Sequence, residues 1–356
     1  MFRRIEDIVF VIPNLQGGGA ERVVLTLCKG FYRYLHIKCH IIVFNTKKDY
    51  DIKDVQNIYP YSFNKKDSKR EKARKLDAFI LQKTGNMPKA VFSNLTEADK
   101  ILKYSELPVF HIIHSTPSIS EWGKKKGINR IFAWWKTKCY YNKHPSICVS
   151  MGVLLDFKKY INRRALCIYN PIDKDDIIKQ SNAFIPEYKD YILAVGTCNN
   201  AKNHPLLIQS YLKLNTNKKL IIIGRQGSMS DTCMQLIKNL KLESKVIFTG
   251  FKKNPYPYIK YADLFVLSSD YEGLSMSLLE AITLGTPVIS TDCPSGPAEI
   301  IGNNTHCLTP AGNIDKLSNA IKKALQNPHL YRIPLPSKVD LEYVCKQYEK
   351  LWKCSQ

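Results

Sequence analysis

The chain has 356 residues, of which 44% are apolar and 24% charged. This length corresponds to about two domains, and the apolar content excludes a disordered chain, which lacks the residues needed to offset the entropy of ordering. Lys and Arg number 53 against 31 Asp and Glu, a formal net charge of +22. The excess predicts an anionic partner: nucleic acid, phosphorylated small molecules or an acidic membrane surface.

The N-terminus predicts a β-strand. Arg3 and Arg4 precede an apolar run, but residues 8–13 are too few for a signal peptide and lead straight into glycines. No window approaches the roughly 18 apolar residues that a spanning helix needs. Any membrane contact is therefore expected to be peripheral.

Short apolar runs alternate with stretches of helical spacing, a pattern typical of parallel sheets covered by helices. In the first half we predict strands at 7–12, 39–44, 90–93, 109–113 and 146–150, with helices at 21–34 and 97–102. In the second half we predict strands at 191–195, 220–223, 246–248, 264–268 and 287–290, with helices at 206–214, 234–240, 278–284 and 314–325. The class is α/β, with two parallel sheets.

The boundary is predicted near Asp173, because Asn170-Pro171-Ile172-Asp173 and the polar stretch to residue 190 break both periodicities. The domains are then 1–173 and 174–335, followed by a C-terminal helix within 336–356 that we expect to pack back toward the first domain. Residues 1–173 contain 31 basic and 15 acidic residues (net +16), and the remainder 22 and 16 (net +6). The positive charge belongs mainly to the first domain.

The first strand ends in a glycine-rich turn, Gly17-Gly18-Gly19, before a predicted helix. Bare backbone and free N–H groups at a helix start suit a phosphate, although glycine is also the usual residue of a structural turn. An NAD site is rejected. Arg22 occupies the third glycine position of that fingerprint, and Asn45 and Thr46, rather than an acid, follow the strand ending at Phe44.

The second domain contains two carboxylates around one predicted helix start. Glu272 follows an apolar strand and Gly273-Leu274-Ser275, with Ser275 a candidate N-cap for the helix that carries Glu280. The second carboxylate lies about two turns along, so both can line one groove and meet a ligand with hydroxyls at both ends. A solvated helix face is the alternative for such spacing alone.

Several segments together resemble the family 4 (group 1) retaining glycosyltransferases of the GT-B fold, of the type that builds bacterial surface polysaccharides. They are the Glu-x7-Glu segment, Lys202-Asn203-His204-Pro205 after Val195-Gly196, Thr249-Gly250-Phe251, Gly18-Gly19-Ala20-Glu21-Arg22 and Tyr169-Asn170-Pro171-Ile172-Asp173. The resemblance implies two Rossmann-like domains that face each other across a cleft. The first would bind the acceptor and the second the nucleotide sugar.

The resemblance also implies roles for residues at the donor. Glu280 would bind the nucleotide ribose, and Glu272, with Gly273, Leu274 and Ser275, would lie at the donor sugar. Lys202 would neutralise the departing diphosphate, with Gly18 and Gly19 closing over it, since a diphosphate leaving group demands cations and N–H donors.

One position departs from the family pattern, and a histidine elsewhere matches it. Thr197 stands where the family usually has arginine, and Arg225 is the candidate replacement cation. His114 ends a predicted strand where many relatives have a histidine near the donor sugar, although a structural histidine is equally expected from the residues alone. His111 is expected to point the other way if that strand is regular.

No metal site and no cofactor are expected, the nucleotide sugar being a co-substrate. Asp49-Tyr50-Asp51 and Asp173-Lys174-Asp175 match the D-x-D of the other large glycosyltransferase fold, but such triplets are common in a chain with 31 acids. The eleven cysteines form no C-x-x-C pair and no zinc spacing, which indicates a reducing compartment and apolar packing.

Two clusters of positive charge suit an anionic membrane surface: residues 65–75, and residues 124–143, where Trp134, Trp135, Tyr140 and Tyr141 are interleaved with Lys and Arg. A helix with its tryptophans in the core is the alternative. Nucleic-acid binding is the rival function, but no helix-turn-helix, RRM, KH or zinc motif is visible.

Together with the family resemblance, the sequence predicts a metal-independent retaining glycosyltransferase, peripheral at the inner face of the bacterial cytoplasmic membrane. Its donor would be a UDP-sugar, because Cys293-Pro294-Ser295-Gly296-Pro297 resembles relatives that transfer galactose or N-acetylgalactosamine. The family resemblance implies its acceptor, a polyprenyl-diphosphate-linked glycan of O-antigen or capsule synthesis, and the basic first domain agrees with it. A nucleotide-sugar epimerase or phosphorylase on the same scaffold is the alternative.

Overall fold

The structure, a computed structural model, describes residues 7–49, 57–123 and 125–353. Contacts divide the chain into unit 1, Met1–Pro171 with Lys338–Gln356, and unit 2, Ile172–Ser337. The first break falls two residues before the predicted boundary. The chain thus returns to unit 1 at its C-terminal end.

Both units are built from parallel strands connected mainly through helices. The strands are β1 Asp7–Ile12, β2 Lys38–Val43, β3 Ile58–Pro60, β4 Ala90–Asn94, β5 Val109–Ile113, β6 Ser146–Cys148, β7 Ala165–Cys167, β8 Tyr191–Val195, β9 Lys219–Ile223, β10 Val246–Gly250, β11 Leu264–Leu267, β12 Val288–Asp292 and β13 Leu308–Pro310. The helices are α1 Gly19–Leu35, α2 Lys69–Thr84, α3 Leu95–Leu102, α4 Pro117–Ser120, α5 Gly127–Lys138, α6 Met151–Tyr160, α7 Lys174–Ser181, α8 His204–Leu212, α9 Ser230–Asn239, α10 Tyr256–Lys260, α11 Met276–Thr283, α12 Pro297–Ile301, α13 Ile314–Gln326 and α14 Leu341–Lys353.

The sheet of unit 1 has the order β3-β2-β1-β4-β5-β6-β7 among the described residues. Its central strand β1 is fully buried from Ile8 to Ile12, as expected for a parallel strand covered on both faces. β1 lies between β2 and β4, with Phe10 paired with Ile41 and Phe92. From β1 the chain continues to β2, toward one edge of the sheet, and from β4 it continues to β5, toward the other edge. Ligand sites commonly form at the carboxyl ends of two neighbouring strands whose connections diverge in this way.

The C-terminal helix α14 packs on α1. A Cβ at Gly30 would lie 2.6 Å from side-chain atoms of both Leu341 and Cys345, so a residue without a side chain is needed for this close approach. The rings of Phe31 and Tyr348 meet edge to face at 5.8 Å. Burial of large aromatic rings on both sides stabilises the return of the chain to unit 1.

The sheet of unit 2 has the order β10-β9-β8-β11-β12-β13 among the described residues. β8 lies between β9 and β11, and every pairing is parallel. The strand order reverses between β8 and β11. The loops that follow these two strands therefore meet at one edge of the sheet, the usual position of a ligand in an open α/β sheet.

The predicted α/β class and the two parallel sheets are confirmed, but the polar linker to residue 190 is wrong in part. It contains α7, whose first turn is capped by the Asp173 side chain accepting from the Asp176 N–H. α7 packs on α10 and α11, so tertiary contacts support a helix in a polar sequence. The sequence does not predict β3, β7 and β13, three residues each, because such short runs carry little periodicity.

The structure buries some of the aromatic residues of 124–143 and exposes others, and their assignment to a membrane surface stays a prediction. Tyr140 and Tyr141 are buried, and the Tyr141 hydroxyl donates to Asp99 at 3.0 Å. The Trp134 Nε1–H donates to the Tyr160 carbonyl at 2.8 Å, whereas Trp135 is exposed. Packing within unit 1 therefore buries some of these aromatic side chains and leaves others of the same type exposed. No helix within the described ranges is long and apolar enough to cross a membrane.

Candidate active site

Lys202 and Glu272 form an ion pair where the loops after β8 and β11 meet. The distance between Lys202 Nζ and Glu272 Oε1 is 2.6 Å, and both side chains are largely covered. The Ser269 hydroxyl donates to the same Oε1, also at 2.6 Å. Because β8 and β11 are neighbouring parallel strands, their following loops place these residues at one edge of the sheet. The strand order thus joins two side chains that the family resemblance assigned to one ligand.

Hydrogen bonds hold the two loops together independently of that ion pair. The Asp270 N–H donates to the Ala201 carbonyl, and the Ser268 hydroxyl to the Lys202 carbonyl, both at 2.8 Å. The Asn203 side-chain amide donates to Asp270 Oδ1 at 2.7 Å. Contacts of this kind fix the backbone that carries both charges, so the site is pre-organised rather than assembled from mobile loops.

Two glycines make room for the lysine. A Cβ at Gly196 would lie 2.9 Å from Lys202 Cε, and a Cβ at Gly224 would lie 1.9 Å from the Gly196 carbonyl oxygen. Residues with side chains at either position would displace the loop or the lysine. Close packing at the site itself therefore explains why glycine follows Val195 in the sequence.

Gly273, Leu274 and Ser275 connect Glu272 to α11, and all three are buried. Gly296 has φ of +90°, and a Cβ there would lie 3.0 Å from the Gly273 carbonyl oxygen, so the second loop needs glycine to approach. Ser275 occupies the N-cap position as predicted, but its hydroxyl makes no capping bond and lies 3.4 Å from that of Ser277. The start of α11 therefore lacks this side-chain cap.

Glu280 is only 1% exposed, on a helix that is buried on most of its surface. The sequence places it about two turns from Glu272 along a groove, but the structure buries it inside unit 2. The carboxylate of Glu280 is therefore covered, and it can contact a ribose only if it becomes accessible. Its assignment to the ribose stays a prediction.

Arg225 follows β9, beside the loop that carries Thr197. The Arg225 carbonyl accepts from the Cys198 N–H at 2.9 Å, and its guanidinium lies 4.6 Å from the centre of the Phe251 ring. A guanidinium over an aromatic face is held in place without losing its charge. This position agrees with a role near residue 197, which stays a prediction.

A pair of thiols beside this loop was not predicted from the sequence. The sulfurs of Cys198 and Cys233 lie 3.5 Å apart, and both residues are buried. The contact with Cys233 lowers the pKa of the Cys198 thiol to about 5, and the pKa of Cys233 is raised. The two cysteines are 35 residues apart, so no local motif could have identified them.

In unit 1 two carboxylates lie beside the glycine turn. The Gly17 N–H donates to Asp49 Oδ2 at 2.8 Å, and a Cβ at Gly18 would lie 2.2 Å from Glu21 Oε2. Gly18 is the N-cap of α1, and Gly19 is its first, exposed residue. The turn therefore has a structural role in seating Glu21, while a phosphate role for Gly18 and Gly19 stays a prediction.

His114 follows β5 directly, and its Nε2 lies 3.0 Å from Asn94 Oδ1. The Asn94 amide nitrogen donates to the Phe92 carbonyl, so the Asn94 oxygen is the acceptor and His114 Nε2 the donor. Burial lowers the pKa of His114 to about 4. The ring is therefore neutral at pH 7, and its Nδ1 is a hydrogen-bond acceptor.

His111 is a structural histidine. It is fully buried on β5, and its Nδ1 lies 2.7 Å from Asp99 Oδ1. The Ser93 hydroxyl donates to the same oxygen at 2.6 Å. The strand is regular through Ile113, the condition on which the choice of His114 over His111 depended.

The acidic triplets do not assemble a metal site in the part of the chain that the structure describes. There, no group of three or more His, Cys, Asp or Glu side chains is arranged to hold a metal ion. Asp173 of the second triplet caps α7, and Tyr50 and Asp51 of the first lie outside the described residues. Metal independence stays a prediction for experiment.

Residues 174–336 match the family model described as glycosyl transferases group 1. This part of the chain belongs to that family. The glycosyltransferase is 29% identical over 92% of both chains to the N-acetylgalactosamine-N,N'-diacetylbacillosaminyl-diphospho-undecaprenol 4-alpha-N-acetylgalactosaminyltransferase of Campylobacter jejuni. It is 27% identical to the lipopolysaccharide 1,6-galactosyltransferase of Escherichia coli K12 over 65% of this chain and 68% of that one.

Solved structures agree on the fold of the glycosyltransferase. The Anabaena protein HepE, in complex with UDP and glucose, matches with a TM-score of 0.78 at 17% identity, covering 98% of this chain and all of that one. The lipopolysaccharide outer core galactosyltransferase WaaB, in its apo form, matches with a TM-score of 0.66 at 20% identity, with 98% and 100% covered. The predicted GT-B class is confirmed.

Proposed function

We propose that this glycosyltransferase moves a sugar from a UDP-sugar to a polyprenyl-diphosphate-linked glycan during bacterial O-antigen or capsule synthesis, with retention of anomeric configuration. The observation that carries the proposal is the Lys202–Glu272 pair, 2.6 Å apart at the reversal of strand order in unit 2. A cation and a carboxylate at one point match the two needs of glycosyl transfer, a diphosphate leaving group and a positively charged anomeric centre.

Lys202 serves the leaving group in this proposal. Negative charge grows on the diphosphate as the bond to the anomeric carbon breaks, and an ammonium fixed by its loop stabilises that charge without reorganisation. N–H groups at the start of α11, which the Ser275 side chain does not cap, add donors and a partial positive charge. Arg225, seated on Phe251, supplies the cation that Thr197 does not.

Glu272 serves the sugar. Its carboxylate stabilises positive character at the anomeric carbon or holds sugar hydroxyls, and its position is set by Ser269 and Lys202. In unit 1, neutral His114 offers Nδ1 as an acceptor for a sugar hydroxyl. A charged imidazolium would instead oppose a developing oxocarbenium, so the lowered pKa of His114 suits this task.

The acceptor and donor classes rest on relatives. The Campylobacter relative is named for the transfer of N-acetylgalactosamine to a diphospho-undecaprenol-linked acceptor, and the Escherichia coli relative is a galactosyltransferase. HepE was solved with UDP. The net charge of +16 in residues 1–173 agrees with an anionic lipid acceptor, and with peripheral binding at the inner face of the cytoplasmic membrane.

The experiment incubates the purified chain with radiolabelled UDP-galactose, UDP-N-acetylgalactosamine and UDP-glucose, each with and without a polyprenyl-diphosphate oligosaccharide. We expect label to move into the lipid-linked product with one donor, in the α configuration by NMR. A changed sugar still attached to UDP would indicate epimerisation. Transfer with inversion, or sugar 1-phosphate formed only with inorganic phosphate, would contradict the proposal.

A further inference from the structure

Asn94 occupies the N-cap position of α3 but does not cap the helix. It is the last residue of β4, and α3 begins at the next residue, Leu95. An asparagine at this position usually accepts a hydrogen bond from a backbone N–H of the first turn and thereby stabilises the helix. The side chain of Asn94 makes no such bond, although the residue is fully buried. A residue suited to capping is therefore used for another purpose.

The backbone beside Asn94 is strained. Leu95 has φ of +69°, in the left-handed region that residues with large side chains rarely adopt. Strain of this kind persists only where the surrounding structure imposes it, and it is found most often at functional sites. An uncapped helix start and a strained residue thus meet at one point, where β4 passes into α3. The contacts of Asn94 supply the reason for both.

Asn94 bonds to the backbone with one end of its amide and to His114 with the other. Its Nδ2 donates to the Phe92 carbonyl at 3.1 Å, and its Oδ1 accepts from His114 Nε2 at 3.0 Å. A carbonyl can only accept, so Phe92 fixes which end of the amide faces His114. The amide oxygen in turn keeps the histidine proton on Nε2 and the lone pair on Nδ1. Strands β4 and β5 pair in parallel with Asn94 opposite Ile112, two residues before His114, which brings the two side chains together.

Asn94 and His114 differ in exposure. The asparagine is fully buried, whereas the histidine is half-buried. Asn94 therefore cannot contact a ligand unless the fold opens, but it can act on one through the orientation and the tautomer of the imidazole. Its place behind a partly accessible ring is that of a residue that supports a ligand-binding side chain.

The charges around His114 leave its ring neutral at pH 7. Asp99 of α3 raises the pKa of His114, but burial has the larger effect and lowers it to about 4. Asp99 is hydrogen-bonded to three other side chains, those of Ser93, His111 and Tyr141. Helix α3 also carries exposed Glu97 and half-buried Lys100, and half-buried Glu121 follows α4. A neutral ring has one donor and one acceptor, so the bond to Asn94 decides what Nδ1 can do.

We propose that Asn94 is a positioning residue for sugar transfer, which holds His114 in the Nε2–H tautomer so that Nδ1 accepts a hydrogen bond from a sugar hydroxyl. The inference rests on the proposed function, because it deepens the role given there to His114. Without Asn94 the imidazole could carry its proton on either nitrogen, and a proton on Nδ1 would meet a hydroxyl as a donor. The uncapped start of α3 and the strain at Leu95 both follow from holding Asn94 in this orientation.

Nitrogen NMR of the histidine rings tests the tautomer in the free protein. The signals of His114 are identified as those missing from His114→Gln. In the parent we expect a ring protonated on Nε2 alone, and in Asn94→Ala a mixture of both tautomers, because the acceptor is gone. A parent ring protonated on Nδ1, or the Nε2–H form alone in a folded Asn94→Ala, would overturn the proposal.

Asn94→Asp tests the consequence for transfer. The variant keeps the shape of the side chain, but its carboxylate stabilises the imidazolium and should raise the pKa of His114 from about 4 to roughly 5 to 7. In the imidazolium Nδ1 is a donor. Relative to the parent, we expect kcat/KM to fall about tenfold at low pH and to recover between pH 5 and 8, because the acceptor is lost only while the ring is charged. The midpoint should equal the pKa that NMR gives for His114 in the variant.

Asn57→Asp is the matched control in unit 1. Asn57 also donates its amide to a backbone carbonyl, that of Cys39 at 3.4 Å, and accepts from a side chain, the Tyr59 hydroxyl at 3.3 Å. It precedes β3, at the amino end of that strand. We expect its rate relative to the parent to be the same at every pH. A purely structural defect at Asn94 would likewise lower the rate by one factor throughout, so a constant ratio for Asn94→Asp would overturn the proposal.

The two measurements separate this inference from the proposed function. NMR needs no sugar donor, so a fixed tautomer in a chain without transfer activity would contradict the proposed function and leave the tautomer of His114 established. Transfer activity with a loss in Asn94→Asp that does not depend on pH would overturn the positioning role, whereas the proposed function would stand.

Discussion

Lys202 Nζ lies 2.6 Å from Glu272 Oε1, although 70 residues separate them along the chain. Their contact follows from the strand order, because β8 and β11 are adjacent and their loops are joined by hydrogen bonds that involve neither charge. The pair therefore provides a matched cation and anion on a rigid base.

Replacing either member of the pair should impair turnover more than donor binding. Glu272→Gln keeps the shape of the side chain and its contact with Ser269 but removes the charge, so we expect kcat to fall about 100-fold or more. The Kd for UDP, measured by calorimetry, should change by less than about threefold. Because the two residues touch, Lys202→Gln/Glu272→Gln should lose less than the product of the single effects. Parent-like turnover in Glu272→Gln would show that its charge does not act in the reaction.

Glu280→Gln should weaken nucleotide binding. If the carboxylate accepts hydrogen bonds from a ribose, their loss costs roughly 1.5 to 3 kcal/mol, which corresponds to about tenfold or more in the Kd for UDP. The buried position of Glu280 makes a thermal unfolding curve an essential control, because a general loss of packing would lower Tm with and without UDP. An unchanged Kd in a stably folded Glu280→Gln would remove Glu280 from the donor site.

Transfer should continue in EDTA after exhaustive dialysis. The diphosphate charge is expected to be met by Lys202, Arg225 and backbone N–H groups, so a divalent cation is not needed to stabilise the leaving group. The measurement is the initial rate with and without chelator at a saturating UDP-sugar concentration. Loss of activity in EDTA with restoration by manganese would point instead to an acidic triplet such as Asp49-Tyr50-Asp51.

His114 should destabilise the folded chain in acid. Burial holds its pKa at about 4, below the ordinary value of 6.5, so the unfolded state takes up the proton first as the pH falls. The resulting stability is present above pH 6.5 and is lost between about 6.5 and 4. His114→Gln should therefore lose less free energy of unfolding than the parent over this window, by about 2 kcal/mol.

Chemical denaturation at pH 7.5, 5.5 and 4.5 measures this difference. His144, whose pKa burial also lowers to about 4, is common to both proteins and cancels in the comparison. His329→Gln, at an exposed histidine, is the control and should follow the parent. Parallel stability curves for the parent and His114→Gln would show that His114 does not contribute to the acid sensitivity.

Apolar runs in the sequence determined the class of fold. Strands such as β1 and β9 are covered on both faces, so their residues must be apolar without interruption, and this pattern is visible without a structure. Motifs around Glu272 and Lys202 identified the loops of the candidate site. Elements of mixed composition cannot be predicted in this way. The sequence predicts a linker where α7 forms, because the stability of α7 comes from contacts with α10 and α11 that no local pattern encodes.

Tertiary structure alone decided which side chains meet and which face outward. The sequence contains Lys202 and Glu272, but only the placement of β8 beside β11 brings them together; Glu280, from the same motif, is buried instead. Likewise, Trp135 and Tyr141 belong to one basic aromatic stretch, yet one is exposed and the other packs on Asp99. Residue type sets what a side chain prefers, but the surface against which its helix packs determines which of those preferences is satisfied.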